Sequence, residues 1–216
     1  MTFDELSQQA EDRHLKVLGG FHPDDDPHLP ANCRTLLLLG PNEPQFWPAV
    51  QASPEWKDGK SDPIDRWSTR VIGEWASGLK ATPLFPFGGP PFLPFFSWAT
   101  KTGRIHPSPI MLLVHDTAGL FVSFRGALAL SEYLEIPASP PNPCLTCSEK
   151  PCKTACPVDA FDGNSYDTVA CKGYLGDEQG AGCMTKGCVA RRSCPVSVAY
   201  PRLHEQSAYH MREFKG

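Results

Sequence analysis

Eight of the chain's nine cysteines fall between residues 144 and 194, and their spacing decides what the C-terminal part can fold around. They are Cys144, Cys147, Cys152, Cys156, Cys171, Cys183, Cys188 and Cys194, and both Cys156 and Cys194 are followed directly by proline. The opening run is C-x2-C-x4-C-x3-C-P, two residues longer between its second and third cysteines than the common ferredoxin run. Closely spaced cysteines on a tight loop place three thiolates on three irons of one cluster. Proline then turns the chain away, and the fourth thiolate serves the other cluster. That crossover assigns Cys144, Cys147, Cys152 and Cys194 to one [4Fe-4S] cluster and Cys156, Cys171, Cys183 and Cys188 to a second. Zinc is the alternative, because four-cysteine sets also form tetrahedral zinc sites. The close spacing of three thiols and the two Cys-Pro endings favour iron–sulfur. A disulfide scaffold ranks third. Cys171 has no close cysteine neighbour and reads as lying on a short helix with Tyr174 and Leu175. A module this small has little apolar sequence of its own. The clusters are expected to serve as its core, and removing metal to unfold it.

The 216 residues suffice for one large domain, or a medium domain with a small one. We expect an α+β domain over residues 1–137 and a cysteine-rich, ferredoxin-like module over 138–216, joined by the extended run ASPPNP. The net charge of −4, with scattered basic residues, makes nucleic acid an unlikely partner, since phosphate binding needs a clustered basic surface. The polar N-terminus carries no signal-peptide pattern, and no apolar run is long enough to span a bilayer. The expectation is a cytoplasmic protein that makes no use of a membrane, in a compartment where thiols stay reduced.

Upstream, Thr2 and Glu5 have capping-box spacing for a helix over 2–13. Lys16–Phe21 reads as a strand and HPDDDPHLP as a solvated loop. RTLLLLG (34–40) reads as a buried strand, with Cys33 beside it as a small hydrophobe. Residues 43–52 form a short helix or turn. Asp62 is expected to cap the clearest helix, with Pro63 in its first turn and Ile64, Trp67, Val71, Trp75 and Leu79 on one apolar face. The proline-rich, aromatic stretch 83–99 excludes a helix and a central strand. Phe95, Phe96 and Trp98 pack against their own domain or line a pocket for a flat ligand. IMLLVH and LFVSFRGALAL read as two strands joined by a DTAG hairpin turn at 116–119. His115 ends the first as a hydrogen-bonded edge residue. Arg125, a lone charge among apolar neighbours, needs either an aspartate or an anionic ligand.

Two resemblances cover these segments. CLTC, CPVDAF, ACKGYL and the final CPV resemble the two-cluster module of epoxyqueuosine reductase, which also has a cysteine before a Tyr-Leu pair between two Cys-Pro motifs. The match covers residues 144–196 and departs in its x4 and x5 spacings. DPIDRW (62–67) and VHDTAGLFVSFRGALAL are similar to segments of the MMACHC (CblC)-type cobalamin-processing family, with His115, Gly119, Arg125 and Gly126 at matching offsets. Asp116 and Leu120 depart from that pattern. The resemblances imply a nitroreductase-like domain holding cobalamin (a corrinoid), with those four residues and Phe95, Phe96 and Trp98 around it. They also imply an external donor such as ferredoxin or flavodoxin. Electrons would pass from two [4Fe-4S] clusters to the corrinoid. The alternatives are a ferredoxin-like carrier without a corrinoid and a tRNA-modifying epoxyqueuosine reductase. The latter is disfavoured by charge and by the short C-terminal stretch after the clusters. Flavin could replace the corrinoid, although no flavin motif is present. No catalytic residue is identifiable.

Overall fold

The computed structural model describes residues 1–216 and divides into two compact units. The first comprises Met1–Arg104 and Ser123–Pro140, the second Ile105–Val122 and Pro141–Gly216. A single boundary near residue 137 therefore misses an excursion: residues 105–122 leave the first unit and belong with the cysteines.

In chain order the elements are α1 (Phe3–Glu11), β1 (Leu15–Phe21), β2 (Thr35–Pro41), α2 (Phe46–Ala52), α3 (Pro54–Lys57), α4 (Pro63–Leu79), β3 (Thr82–Leu84), α5 (Phe95–Lys101), β4 (Ile105–Pro107), β5 (Leu113–His115) and β6 (Gly126–Leu130). Helices α6 (Pro143–Thr146), α7 (Thr168–Gly176), α8 (Ala181–Lys186), α9 (Val189–Arg192), α10 (Pro195–Ala199) and α11 (His204–Lys215) follow. The fold is mixed α+β, with antiparallel sheets. No helix is long and apolar enough to cross a membrane.

The first unit is built on a four-stranded sheet of order β1-β2-β6-β3. All seven residues of β2 are buried, because its Leu36–Leu39 run is paired on both edges, with Leu37 opposite Leu128 on β6. Continuous apolar sequence of strand length is what two covered faces require. The Thr2–Glu5 capping box starts α1 as expected. Helix α4 differs in two respects. Asp62 precedes it in a left-handed conformation (φ 54°) and its side chain caps nothing. The preceding loop is held instead by Arg66, which donates to the Asp58 carboxylate and to the carbonyls of Glu55, Lys60 and Ser61. The buried stripe also runs through Ile64, Trp67, Ser68, Ile72, Trp75 and Ala76, leaving Val71 and Leu79 half-buried.

The aromatic stretch contains helix α5 despite its prolines, because Pro94 stands at its N-cap, before the helical hydrogen bonds begin. The expected hairpin is absent. β5 pairs instead with β4, with His115 opposite Ile105, and the chain from Leu120 to Arg125 is not a strand. Only β6 joins the large sheet.

The second unit has an apolar core of its own, contrary to expectation. Ile110, Val114 and Leu120 from the excursion pack with Phe161, Ala190, Cys152 and Cys194. The excursion supplies what the cysteine-rich sequence lacks.

Candidate functional site

All nine cysteines are free thiols, so no disulfide scaffold forms. Six of the eight ligand candidates are placed by short elements. Asn142 caps α6, its side-chain oxygen accepting from the Cys144 N–H at 2.9 Å. Cys152 lies in the short 3-10 turn Pro151–Lys153. Asp167 caps α7, which carries Cys171. Cys183 sits on α8, while Cys188 and Cys194 immediately precede α9 and α10.

The thiols fall into two groups by their mutual electrostatics. Burial pushes the Cys144 thiol up, and the charges of Cys152, Cys194 and Cys147 push it the same way. Cys152 is raised first by burial and then by Cys194 and Cys147. Cys171 is raised by burial and further by Cys156 and Cys183, and Cys188 by burial and then by Cys183. These neighbour relations separate Cys144, Cys147, Cys152 and Cys194 from Cys156, Cys171, Cys183 and Cys188. No three His, Cys, Asp or Glu side chains converge at the spacing of a single metal ion.

The first four line one cavity of about 640 Å³, whose walls include Val114, Leu120 and Val196. Around the second four the structure supplies hydrogen-bond donors. The Ala160 N–H donates to Cys156 Sγ at 3.4 Å and the Tyr166 hydroxyl to Cys171 Sγ at 3.3 Å. Burial and the Cys171 bond together raise the Tyr166 phenol, keeping it a donor. The backbone N–H groups of Arg191 and Ala190 donate to Cys188. Arg191 is part-buried, and its Nη1 donates to the Leu120 carbonyl at 2.6 Å. Cys33 lies in the first unit beside β2, where its thiol donates to the Thr35 carbonyl at 3.5 Å. It joins neither group.

The residues expected around a corrinoid have other employment. His115 is fully buried in the second unit, where its Nδ1 accepts from the Thr117 and Ala118 N–H groups at 3.1 Å and closes the DTAG turn. Gly119 has φ 56° and no room for a side chain against Ser197. In the first unit, Arg125 pairs with Asp65 at 3.2 Å, the aspartate partner that its charge among apolar neighbours calls for. At Gly126 an added Cβ would lie 2.8 Å from Ile72 Cδ1 and 3.0 Å from the Leu84 carbonyl. Phe95 and Trp98 are buried core residues, and the Trp98 indole donates to Asp26 at 2.8 Å. Only Phe96 is well exposed, at 54%. Sequence reasoning passed over Tyr166, Arg191 and helix α11. The stretch HEQSAYHMREFK is polar enough to read as a surface tail, yet Gln206, Ser207 and Ala208 are buried.

No protein-family model, curated protein or solved structure matches this chain.

Proposed function

We propose that this is an iron–sulfur redox protein holding two [4Fe-4S] clusters, which receives electrons from an external carrier such as a ferredoxin or flavodoxin. One observation carries the reading: Cys144, Cys147, Cys152 and Cys194, the set that the ferredoxin crossover assigns to one cluster, line a single cavity. The spacing supports iron–sulfur over zinc. A zinc ion holds each sulfur at about 2.3 Å and draws all four together. The three closely spaced cysteines and the two Cys-Pro endings are instead those of iron–sulfur runs. Bound clusters would supply one-electron transfer. The chain's own contribution is to bury the thiols, to exclude water with Val114, Leu120 and Phe161, and to present N–H and O–H donors to sulfur.

A nitroreductase-like first unit delivering these electrons to a corrinoid substrate rests on the sequence resemblance. Of the seven residues expected to touch it, Phe96 is exposed in the first unit, while the other six contribute packing, a turn and an ion pair. Anaerobic reconstitution followed by addition of hydroxocobalamin tests this end of the proposal. A shifted corrin spectrum and cobalamin retained through gel filtration are expected. Their absence leaves the ferredoxin-like carrier as the function.

A further inference from the structure

Helix α11 meets, near each of its ends, a residue adjoining the second group of thiols. Near its start, Ser207 abuts Gly187, the residue before Cys188. Gly187 has φ 87°, and a Cβ there would lie 2.8 Å from that of Ser207. Near its end, Phe214 stacks on Tyr166 at 6.0 Å, and Tyr166 in turn donates to Cys171. Between these contacts the helix packs along α8, which carries Cys183.

On this covered stretch stands Gln206. Its side chain is fully buried, and neither Oε1 nor Nε2 has a hydrogen-bond partner. The Ser207 hydroxyl, 4% exposed as a residue, has none either. A buried carboxamide without partners is costly enough that native proteins rarely keep one. Leucine would fill the same space without that cost, so the polar atoms call for a bonding group beyond the protein's own atoms.

Resting on the two-cluster reading, we infer that the Gln206 carboxamide, assisted by the Ser207 hydroxyl, donates to the sulfur atoms of the cluster held by Cys156, Cys171, Cys183 and Cys188. This makes it the more readily reduced of the two clusters. Reduction adds negative charge, and donors aimed at sulfur stabilise that charge. The asymmetry already on the protein side runs the same way. Ala160 and Tyr166 donate to sulfurs of the second group at 3.4 and 3.3 Å, while backbone N–H groups reach one sulfur in each group, Cys188 and Cys152. Gln206 is a positioning and tuning residue, and the second cluster becomes the site where an electron entering the module comes to rest.

The test is an anaerobic redox titration of reconstituted full-length protein, followed by electron paramagnetic resonance. Wild type is compared with Gln206→Leu and Gln206→Glu, and Cys171→Ser identifies the second cluster's signal. At a fixed potential, Gln206→Leu is expected to raise the oxidised-to-reduced ratio of the second cluster about tenfold, or about 59 mV for one electron. The other cluster stays unchanged. Gln206→Glu, whose carboxyl is kept protonated and able to donate by burial and by the neighbouring anionic cluster, shifts it less than Gln206→Leu. In wild type labelled with 15N-glutamine, the reduced second cluster shows a hyperfine coupling that both variants lose. If two clusters load but neither variant moves a potential and no coupling appears, the inference is overturned while the two-cluster reading stands. If no iron and sulfide load in wild type, both fall.

Discussion

Gly119→Ala separates the two roles implied for this residue, a corrinoid contact and a turn that locks the cysteine-rich unit. Gly119 occupies the left-handed region, φ 56°, where an alanine costs about 1–2 kcal/mol. An added Cβ would lie 2.5 Å from the Ser197 backbone nitrogen and 2.9 Å from its Cα, so no side-chain rotation relieves the clash. Ser197 Oγ accepts from the buried Leu120 N–H at 2.8 Å, and displacing α10 breaks this bond at a cost of about 1–3 kcal/mol. The total is roughly 2–5 kcal/mol, delivered one helical turn from Cys194. The assay is anaerobic urea unfolding followed by circular dichroism and by loss of cluster absorbance. Gly119→Ala should lower the midpoint and release iron at lower urea. Gly73→Ala, in the interior of α4 with nothing within 4 Å of its Cβ, is the control and should stabilise by about 0.5–1 kcal/mol. A Gly119→Ala protein that unfolds like wild type would refute the turn argument.

Three further predictions address separate parts of the account. Tyr166→Phe removes the hydroxyl on Cys171 and should make the second cluster harder to reduce by about threefold to tenfold in the redox ratio, with the first unmoved; equal shifts in both would contradict the assigned grouping. Cys33→Ser should leave the iron content unchanged, whereas Cys194→Ser should deplete the first cluster, as measured by iron per chain. Arg125→Met should destabilise by about 1 kcal/mol or less at pH 7, because Asp65 is a third exposed. Burial raises the Asp65 carboxyl despite Arg125. Its contribution is therefore favourable below the ordinary carboxylate value and is lost as pH rises through the higher folded value. Losing Arg125 raises Asp65 further, so the variant's deficit in a denaturation series should be larger at pH 7 than at pH 4.

The parts of the fold legible in the sequence were those set by local pattern. The Thr2–Glu5 box, the buried Leu36–Leu39 strand and the α7 helix bearing Cys171 follow from capping chemistry and run length. The misread parts were decided by distant partners. VHDTAGLFV has the alternation of a hairpin. Even so, its second half is pulled from pairing by the Leu120 bonds to Ser197 and Arg191, some seventy residues onward. The α4 stripe shifted to Ile72 and Ala76 because the core, and not the helix alone, chooses the buried face. In the site, spacing and the two Cys-Pro endings carried the grouping of the cysteines. The Tyr166 donor to Cys171 was invisible because a hydroxyl five residues from a cysteine reaches its sulfur only once the turn before α7 has formed, and the burial of Gln206 depends on how α11 packs. Gly119, Gly126 and Arg125 matched a family's offsets, yet each also meets a steric or electrostatic demand of this fold.

Iron and acid-labile sulfide analysis of protein reconstituted without oxygen tests the central claim most directly. The account predicts about eight irons and eight sulfides per chain, falling toward four of each in Cys194→Ser and unchanged in Cys33→Ser. Stoichiometric zinc with no sulfide would contradict it.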